Sequence, residues 1–135
     1  MTKNVASVAR RFAVALDAED YATAQALLAD ACVYLCRGQR YSGPAAIIAA
    51  YQSTGSSARD RFDSISYRSE VSAIDEAHAR IRFADYLGSA GEEFVFECAQ
   101  IVTVDDSGLI AAIDHIDFDG AREALAEFLQ RTAAR

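Results

Sequence analysis

From Phe62 to Phe118 apolar and polar side chains alternate with a period of two, broken only by short turn-forming stretches. Such a run folds as a meander of antiparallel strands, because successive side chains of a strand point to opposite faces. Ile65, Tyr67, Val71 and Ala73 alternate with Ser66, Arg68, Glu70 and Ser72. After a turn at Asp75-Glu76, a second strand runs from near Ala77 to Leu87, and Gly88-Ser89-Ala90-Gly91 forms a loop. Phe94 to Val104 is a third strand, Asp105-Asp106-Ser107-Gly108 a tight turn, and Leu109 to Phe118 the last strand.

The chain before the meander has helical spacing. Val5, Val8, Phe12, Ala15 and Leu16 make one apolar stripe, with Arg10, Arg11 and Asp17 off it. Asp20 is placed to cap a second helix that buries Tyr21, Ala24, Leu27 and Leu28. Ala31 to Arg37 has strand composition, and a turn around Gly38 follows. Pro44 suits the first turn of a third helix, where its missing N–H costs nothing. Ile47, Ile48 and Tyr51 form the stripe of that helix, and Thr54-Gly55-Ser56-Ser57 ends it. After the meander, Asp119 caps a final helix with Leu125, Phe128 and Leu129 inward. The expected fold is α+β: a cone-shaped, curved antiparallel sheet, packed by three N-terminal helices and a C-terminal helix, enclosing a pocket. Residues 1–135 read as a single domain with no linker.

Cross-strand register carries the functional argument. Pairing Leu87 with Phe94 sets Asp85 opposite Phe96, Phe83 opposite Cys98 and Ile81 opposite Gln100. Pairing Val104 with Leu109 sets Gln100 opposite Ile113, Cys98 opposite His115 and Phe96 opposite Asp117. Opposed residues share a face. One face is then apolar except for Asp85, Gln100, His115 and Asp117, and polar groups there are costly unless paired or wet. This is the footprint of a lined pocket. The other face carries Arg80, Arg82, Tyr86, Glu97, Ala99, Ile101, Ala112, Asp114, Ile116 and Phe118.

His115 is the candidate proton-transfer group, since a neutral imidazole titrates near physiological pH. Asp117 lies about 7 Å along the same strand and Asp85 roughly 10 Å across in the Asp117 row, either one a candidate partner. Phe12, Tyr34, Tyr67, Phe83, Phe96, Cys98, Gln100 and Ile113 are the candidate substrate-binding wall. His78, at a strand start on the other face, reads as solvated.

The net charge of −7, from 20 acidic and 13 basic residues, repels phosphate backbones and anionic lipid, so neither nucleic acid nor a membrane surface is an expected partner. Met1-Thr2-Lys3-Asn4 leads straight into an amphipathic stretch with no leader-type apolar run. Three cysteines, Cys32, Cys36 and Cys98, form no even framework, which points to reduced thiols and a cytoplasmic protein. Zinc bound by Cys32 and Cys36 is disfavoured, because four strand residues span about 13 Å and zinc holds each sulfur at about 2.3 Å. No metal and no cofactor are expected, and neither a phosphate-binding glycine loop nor a nucleophile elbow is present.

The helix hairpin, the segment Tyr41-Ser42-Gly43-Pro44-Ala45-Ala46-Ile47 and the turn Asp106-Ser107-Gly108-Leu109-Ile110 together give a family resemblance. The chain resembles the nuclear transport factor 2-like superfamily, within it the SnoaL-like group, which is similar to ketosteroid isomerases, limonene epoxide hydrolases and polyketide cyclases. The resemblance implies a cone-shaped cavity and a homodimer paired through the other sheet face, where Arg82 and Asp114 are expected in one cross-strand row. The positions matching the ketosteroid isomerase tyrosine and two aspartates are Phe12, Gln100 and Leu35. Phe12 has no hydroxyl and Leu35 takes no proton, so that mechanism is not expected. Against the epoxide hydrolases, Tyr34 matches the tyrosine, Cys36 stands for the asparagine and His115 for the last-strand aspartate. Asp85 lies one or two residues from the other aspartate, and the arginine has no equivalent. Two readings follow. One is an enzyme using acid–base chemistry on a small, apolar, cyclic substrate, as isomerase, cyclase, dehydratase or hydrolase. The other is a non-catalytic ligand-binding or dimerising module.

Overall fold

The chain's architecture is seen in a computed structural model describing residues 4–133; Met1–Lys3, read above as leading into the first helix, lie outside the described residues. Asn4 caps α1 (Val5–Asp17), its side chain accepting from the Ser7 N–H at 2.9 Å. Val5, Val8, Phe12 and Ala15 are buried, as the stripe requires. Asp20 caps α2 (Tyr21–Ala26), accepting from the Thr23 N–H at 3.3 Å and from the Thr23 hydroxyl at 2.6 Å. That helix stops after six residues, and Leu28 already belongs to β1 (Leu28–Cys36). The reason is tertiary: the Ile110 N–H donates to the Leu27 carbonyl at 2.9 Å, and Leu28 pairs with Ile110.

Arg37 (φ 50°) and Gly38 (φ 80°) turn β1 into β2 (Gln39–Ser42). Gly43, at φ 89° and ψ 153°, precedes Pro44 at the start of α3 (Pro44–Arg61). The helix runs on through Gly55, past its expected end, and the Tyr21 hydroxyl would lie 3.1 Å from a Cβ placed there. The meander comprises β3 (Ser64–Ala73), β4 (His78–Ser89), β5 (Glu92–Val104) and β6 (Ile110–Asp117). Helix α4 (Ala121–Ala133) follows, with Gly120 rather than Asp119 in the capping position.

The six strands run in the order β2-β1-β6-β5-β4-β3. All neighbours are antiparallel except β1 and β6, which are parallel. The β4–β5 register matches expectation, with Leu87 opposite Phe94 and Asp85 opposite Phe96. The loop there contracts to Ala90 (φ 52°) and Gly91 (φ 80°), the two-residue turn that suits the twist of a hairpin.

The β5–β6 register differs. Val104 pairs with Ile110 rather than Leu109, and Thr103 with Ala112, which leaves Ala111 as a bulge. Longer turn and bulge each move the pairing by one residue. The partners therefore shift by two while the faces stay as expected: Gln100 meets His115, Cys98 meets Asp117 and Val102 meets Ile113. Asp85, opposite Phe96, thus stands one row away from Asp117 instead of sharing its row. Arg82 and Asp114 are likewise a row apart; Arg82 pairs with Glu97 at 3.0 Å, and Asp114 lies in the row of Arg80.

Phe12, Ile47, Ile81, Val102, Ile110 and Ile113 are fully buried between the helices and the concave sheet face. A second cluster of Leu87, Phe96 and Cys98 packs with Phe94 and Leu125. Phe128 of α4 stacks on Phe94 with ring centroids 5.2 Å apart, so α4 closes that end of the cone. No described helix is long and apolar enough to cross a membrane.

Candidate functional site

A cavity of about 270 Å³ opens between the concave face and helices α1 and α3. It has two chemically different ends. At the first, the β1–β2 turn brings Arg37 over the end of β6, where its Nε and one Nη donate to the two Asp117 oxygens at 2.7 Å each. Asp117 Oδ1 also meets His115 Nε2 at 2.9 Å. The other imidazole nitrogen, Nδ1, faces Gln100 Nε2 at 3.2 Å. Gln100 Nε2 donates to the Tyr34 hydroxyl at 3.1 Å, and the Tyr51 hydroxyl donates to Gln100 Oε1 at 2.6 Å. Gln100 is 3% exposed, so these bonds take the place of the water its amide has lost.

Aromatic packing holds the ladder in place. The Tyr34 and Tyr51 rings stack at 5.1 Å and 4°, Tyr41 stacks on Tyr34 at 5.6 Å, and Phe12 meets Tyr51 edge-on at 5.9 Å. Burial pushes both the Tyr34 and Tyr51 phenols up, so they remain hydroxyl donors. The two Arg37 bonds hold the Asp117 carboxyl well below the usual carboxylate range; burial opposes them and the His115 bond adds to them.

At the second end, Asp85 on β4 faces Asp17 from the last turn of α1. Burial raises the Asp85 pKa to about 6, with the Asp17 charge adding to it. Among the described residues no side chain or backbone N–H donates to the Asp85 carboxyl. Asp17 is also raised by burial, against a bond from the Ser69 hydroxyl at 2.7 Å. Glu19 pairs with Arg59 at the rim. Burial, with the charges of Asp85 and Asp117, pushes the Cys98 thiol up to about 12, which keeps it protonated.

Of the residues singled out from sequence, Tyr34, Tyr67, Phe83, Asp85, Phe96, Cys98, Gln100 and His115 line the cavity. Asp117 stands behind His115. Phe12 and Ile113 do not line it: both are 0% exposed and belong to the core beneath the wall. His115 and Asp117 meet, but Asp85 does not join them. It lies four residues along β5 from the His115 row, about 13 Å, and two strands across. His78, on the far side, bonds Asp75 at 2.8 Å.

Three contributors escaped the sequence reading. Asp17 was an off-stripe residue, Tyr51 a stripe residue, and Arg37 the neighbour of a turn glycine, which is the one signal that a hairpin would fold it back onto the sheet. Among the described residues no group of three or more His, Cys, Asp or Glu side chains is placed to hold a metal ion.

Three solved structures share this architecture. A protein assigned as a polyketide cyclase from Xanthomonas campestris pv. campestris has a TM-score of 0.66 at 18% identity, covering 93% of this chain and 94% of its own. One assigned as a ketosteroid isomerase from Kribbella flavida has a TM-score of 0.65 at 19% identity, covering 82% and 75%. An LEH-like epoxide hydrolase of M. tuberculosis has a TM-score of 0.61 at 21% identity, covering 94% and 96%. At these identities the likeness is one of fold. No curated protein matches the sequence. The model of the SnoaL-like domain matches residues 9–113, more than half of the chain, and the protein therefore belongs to the SnoaL-like domain family.

Proposed function

We propose that this domain is an enzyme that moves a proton on a small, largely apolar, cyclic substrate bearing an oxygen acceptor. Asp85 is the group that takes and returns the proton. The carrying observation is its carboxyl, without a hydrogen-bond donor among the described residues, in an aromatic-walled cavity and titrating at about 6. A group poised there is sufficiently deprotonated at neutral pH to act as a base and sufficiently basic to be effective. As it withdraws a proton from carbon beside a carbonyl, negative charge grows on the oxygen, and the Tyr34 end of the cavity supplies a hydroxyl to meet it. Return of the proton to another carbon completes an isomerisation. The cavity volume, at the small end for ligand sites, suits one or two rings. The similar structures include proteins assigned to three different reactions, so the side chains rather than the fold decide the chemistry.

Deuterium uptake tests this. A panel of cyclic ketones incubated in D2O with the protein should show catalysed exchange by mass spectrometry, reduced about 10²–10⁴-fold in Asp85→Asn. Equal exchange by the variant would remove Asp85 from the mechanism. One observation favours a non-catalytic binding module instead: both His115 nitrogens are occupied inside the protein. Retention of a ketone in native mass spectrometry with no exchange across the panel would support that second reading.

The proposal extends to assembly. The convex face carries Ile101, Ile116 and Phe118 among Arg80, Arg82, Glu97 and Asp114, with Tyr86 and Val95 more than 40% exposed. Apolar centres rimmed by charges of both signs suit pairing of two copies.

A further inference from the structure

We infer that Gln100 is a positioning residue that decides which of two tyrosine hydroxyls donates to the substrate, and that protonating His115 reverses its choice. This rests on the reading of the cavity as the substrate site.

The direction of every bond in the ladder follows from its charged end. Asp117 is held as a carboxylate by Arg37 and can only accept. His115 Nε2 must therefore carry the hydrogen of the 2.9 Å bond. A neutral imidazole has one N–H, so Nδ1 is a lone pair and Gln100 must turn its NH2 towards it. That orientation points the second amide hydrogen at the Tyr34 oxygen and the amide oxygen at Tyr51, which must donate. The Tyr51 proton is thus committed to Gln100. The Tyr34 oxygen accepts from Gln100, and among the described residues its own proton has the Cys36 thiol beside it, a weak acceptor. Both tyrosines line the cavity, and of their two hydroxyls that of Tyr34 is the one whose proton is not committed to Gln100.

A second proton on His115 places N–H on Nδ1, against the NH2 of Gln100. Two donors then meet where no water enters, because Gln100 is 3% exposed. Rotation of the amide by half a turn relieves the conflict. Its oxygen then accepts from His115 and from Tyr34, and its nitrogen donates to Tyr51. The Tyr34 proton is drawn inward and the Tyr51 proton is released to the cavity. The donor moves from the β1 wall to the α3 wall, between rings stacked 5.1 Å apart. The groups around His115 are Asp117 on its own strand, Arg37 from the β1–β2 turn, Tyr34 and Cys36 on β1, Gln100 and Cys98 on β5, and Tyr51 from α3. Of these, Arg37 and Asp117 are charged and already paired with each other; Asp85 and Asp17 lie at the far end.

Nitrogen-15 NMR of the histidine rings in the full chain tests the tautomer without any ligand. Near pH 8, His115 is expected with hydrogen on Nε2 and a bare Nδ1; hydrogen on Nδ1 alone, or on both, would overturn the inference. Gln100→Glu presents acceptors to His115, Tyr34 and Tyr51 alike. It should hold His115 doubly protonated to higher pH and cut ketone deuterium exchange at least about tenfold. His115→Asn keeps an acceptor towards Gln100 but takes no proton. Relative to its own value at pH 8, the variant's exchange should fall less steeply in acid than that of wild type, because the donor can no longer move and Asp85 alone takes a proton. An unchanged slope would count against the switch. A chain that shows the expected tautomer and its change in Gln100→Glu, yet exchanges no ketone, supports the switch and removes the acid–base reading of function.

Discussion

At the residue scale, burying Asp85 beside Tyr67 and Phe96 favours its neutral form, and this has a consequence for stability. An unfolded Asp titrates near 3.9, the folded one at about 6. Between those values the folded chain binds more protons, so its stability falls as pH rises. Asp85→Asn should therefore be more stable than wild type at pH 7–8, by up to about 3 kcal/mol, and little changed at pH 4, by urea denaturation. Asp117 works the other way. Its folded pKa is depressed, so its contribution is present above the unfolded value and is lost as pH falls below it. Asp117→Asn is expected to lower stability at pH 7 by about 1 kcal/mol, a modest figure because Arg37 is 38% exposed. One carboxylate thus costs stability where the other supplies it, as expected if the first is kept for its reactivity and the second for its grip on Arg37 and His115.

At the scale of the element, two short features position the site. Gly43 holds φ 89° and ψ 153°, backbone that a side chain rarely tolerates, while its N–H donates to the Cys32 carbonyl at 2.8 Å. Gly43→Ala should cost about 1–3 kcal/mol in denaturant titration, since the strain cannot relax without breaking that bond or moving the start of α3. The other feature is the bulge at Ala111. Alternation along β4, β5 and β6 made the inner and outer faces legible in the sequence, and the β4–β5 turn was short enough to fix its register. The β5–β6 turn was not. The side chain of Asp105 accepts from the N–H groups of Ser107 and Leu109, lengthening the turn by one residue, and the bulge adds another. Neither step has a composition signature, so the row partners of His115 and Asp117 were misplaced although their face was not. The same blindness to distant contacts hid Arg37, whose partner Asp117 is eighty positions away. Phe12 and Ile113 erred differently. Alternation and helical stripes say which residues face inward, but not how deep each one sits.

At the scale of the whole molecule, the convex face remains to be covered, and the proposed pairing makes a measurable claim. Phe118 lies under the guanidinium groups of Arg80 and Arg82, at 5.7 and 5.8 Å. Phe118→Arg adds a third positive charge to that patch and should weaken dimerisation at least about tenfold, read by light scattering across a dilution series. A wild-type chain that stays monomeric at high concentration would dispose of the pairing. The parallel junction of β1 with β6 sets a different constraint, one of timing. Residues 28–36 find their inner neighbour in a strand ending at Asp117, so during synthesis the early helices and first hairpin emerge long before anything can complete the sheet beside them. Until then their greasy faces stay open to chaperones or to one another, and a nascent chain stalled ahead of Ile110 is expected to be the species that aggregates.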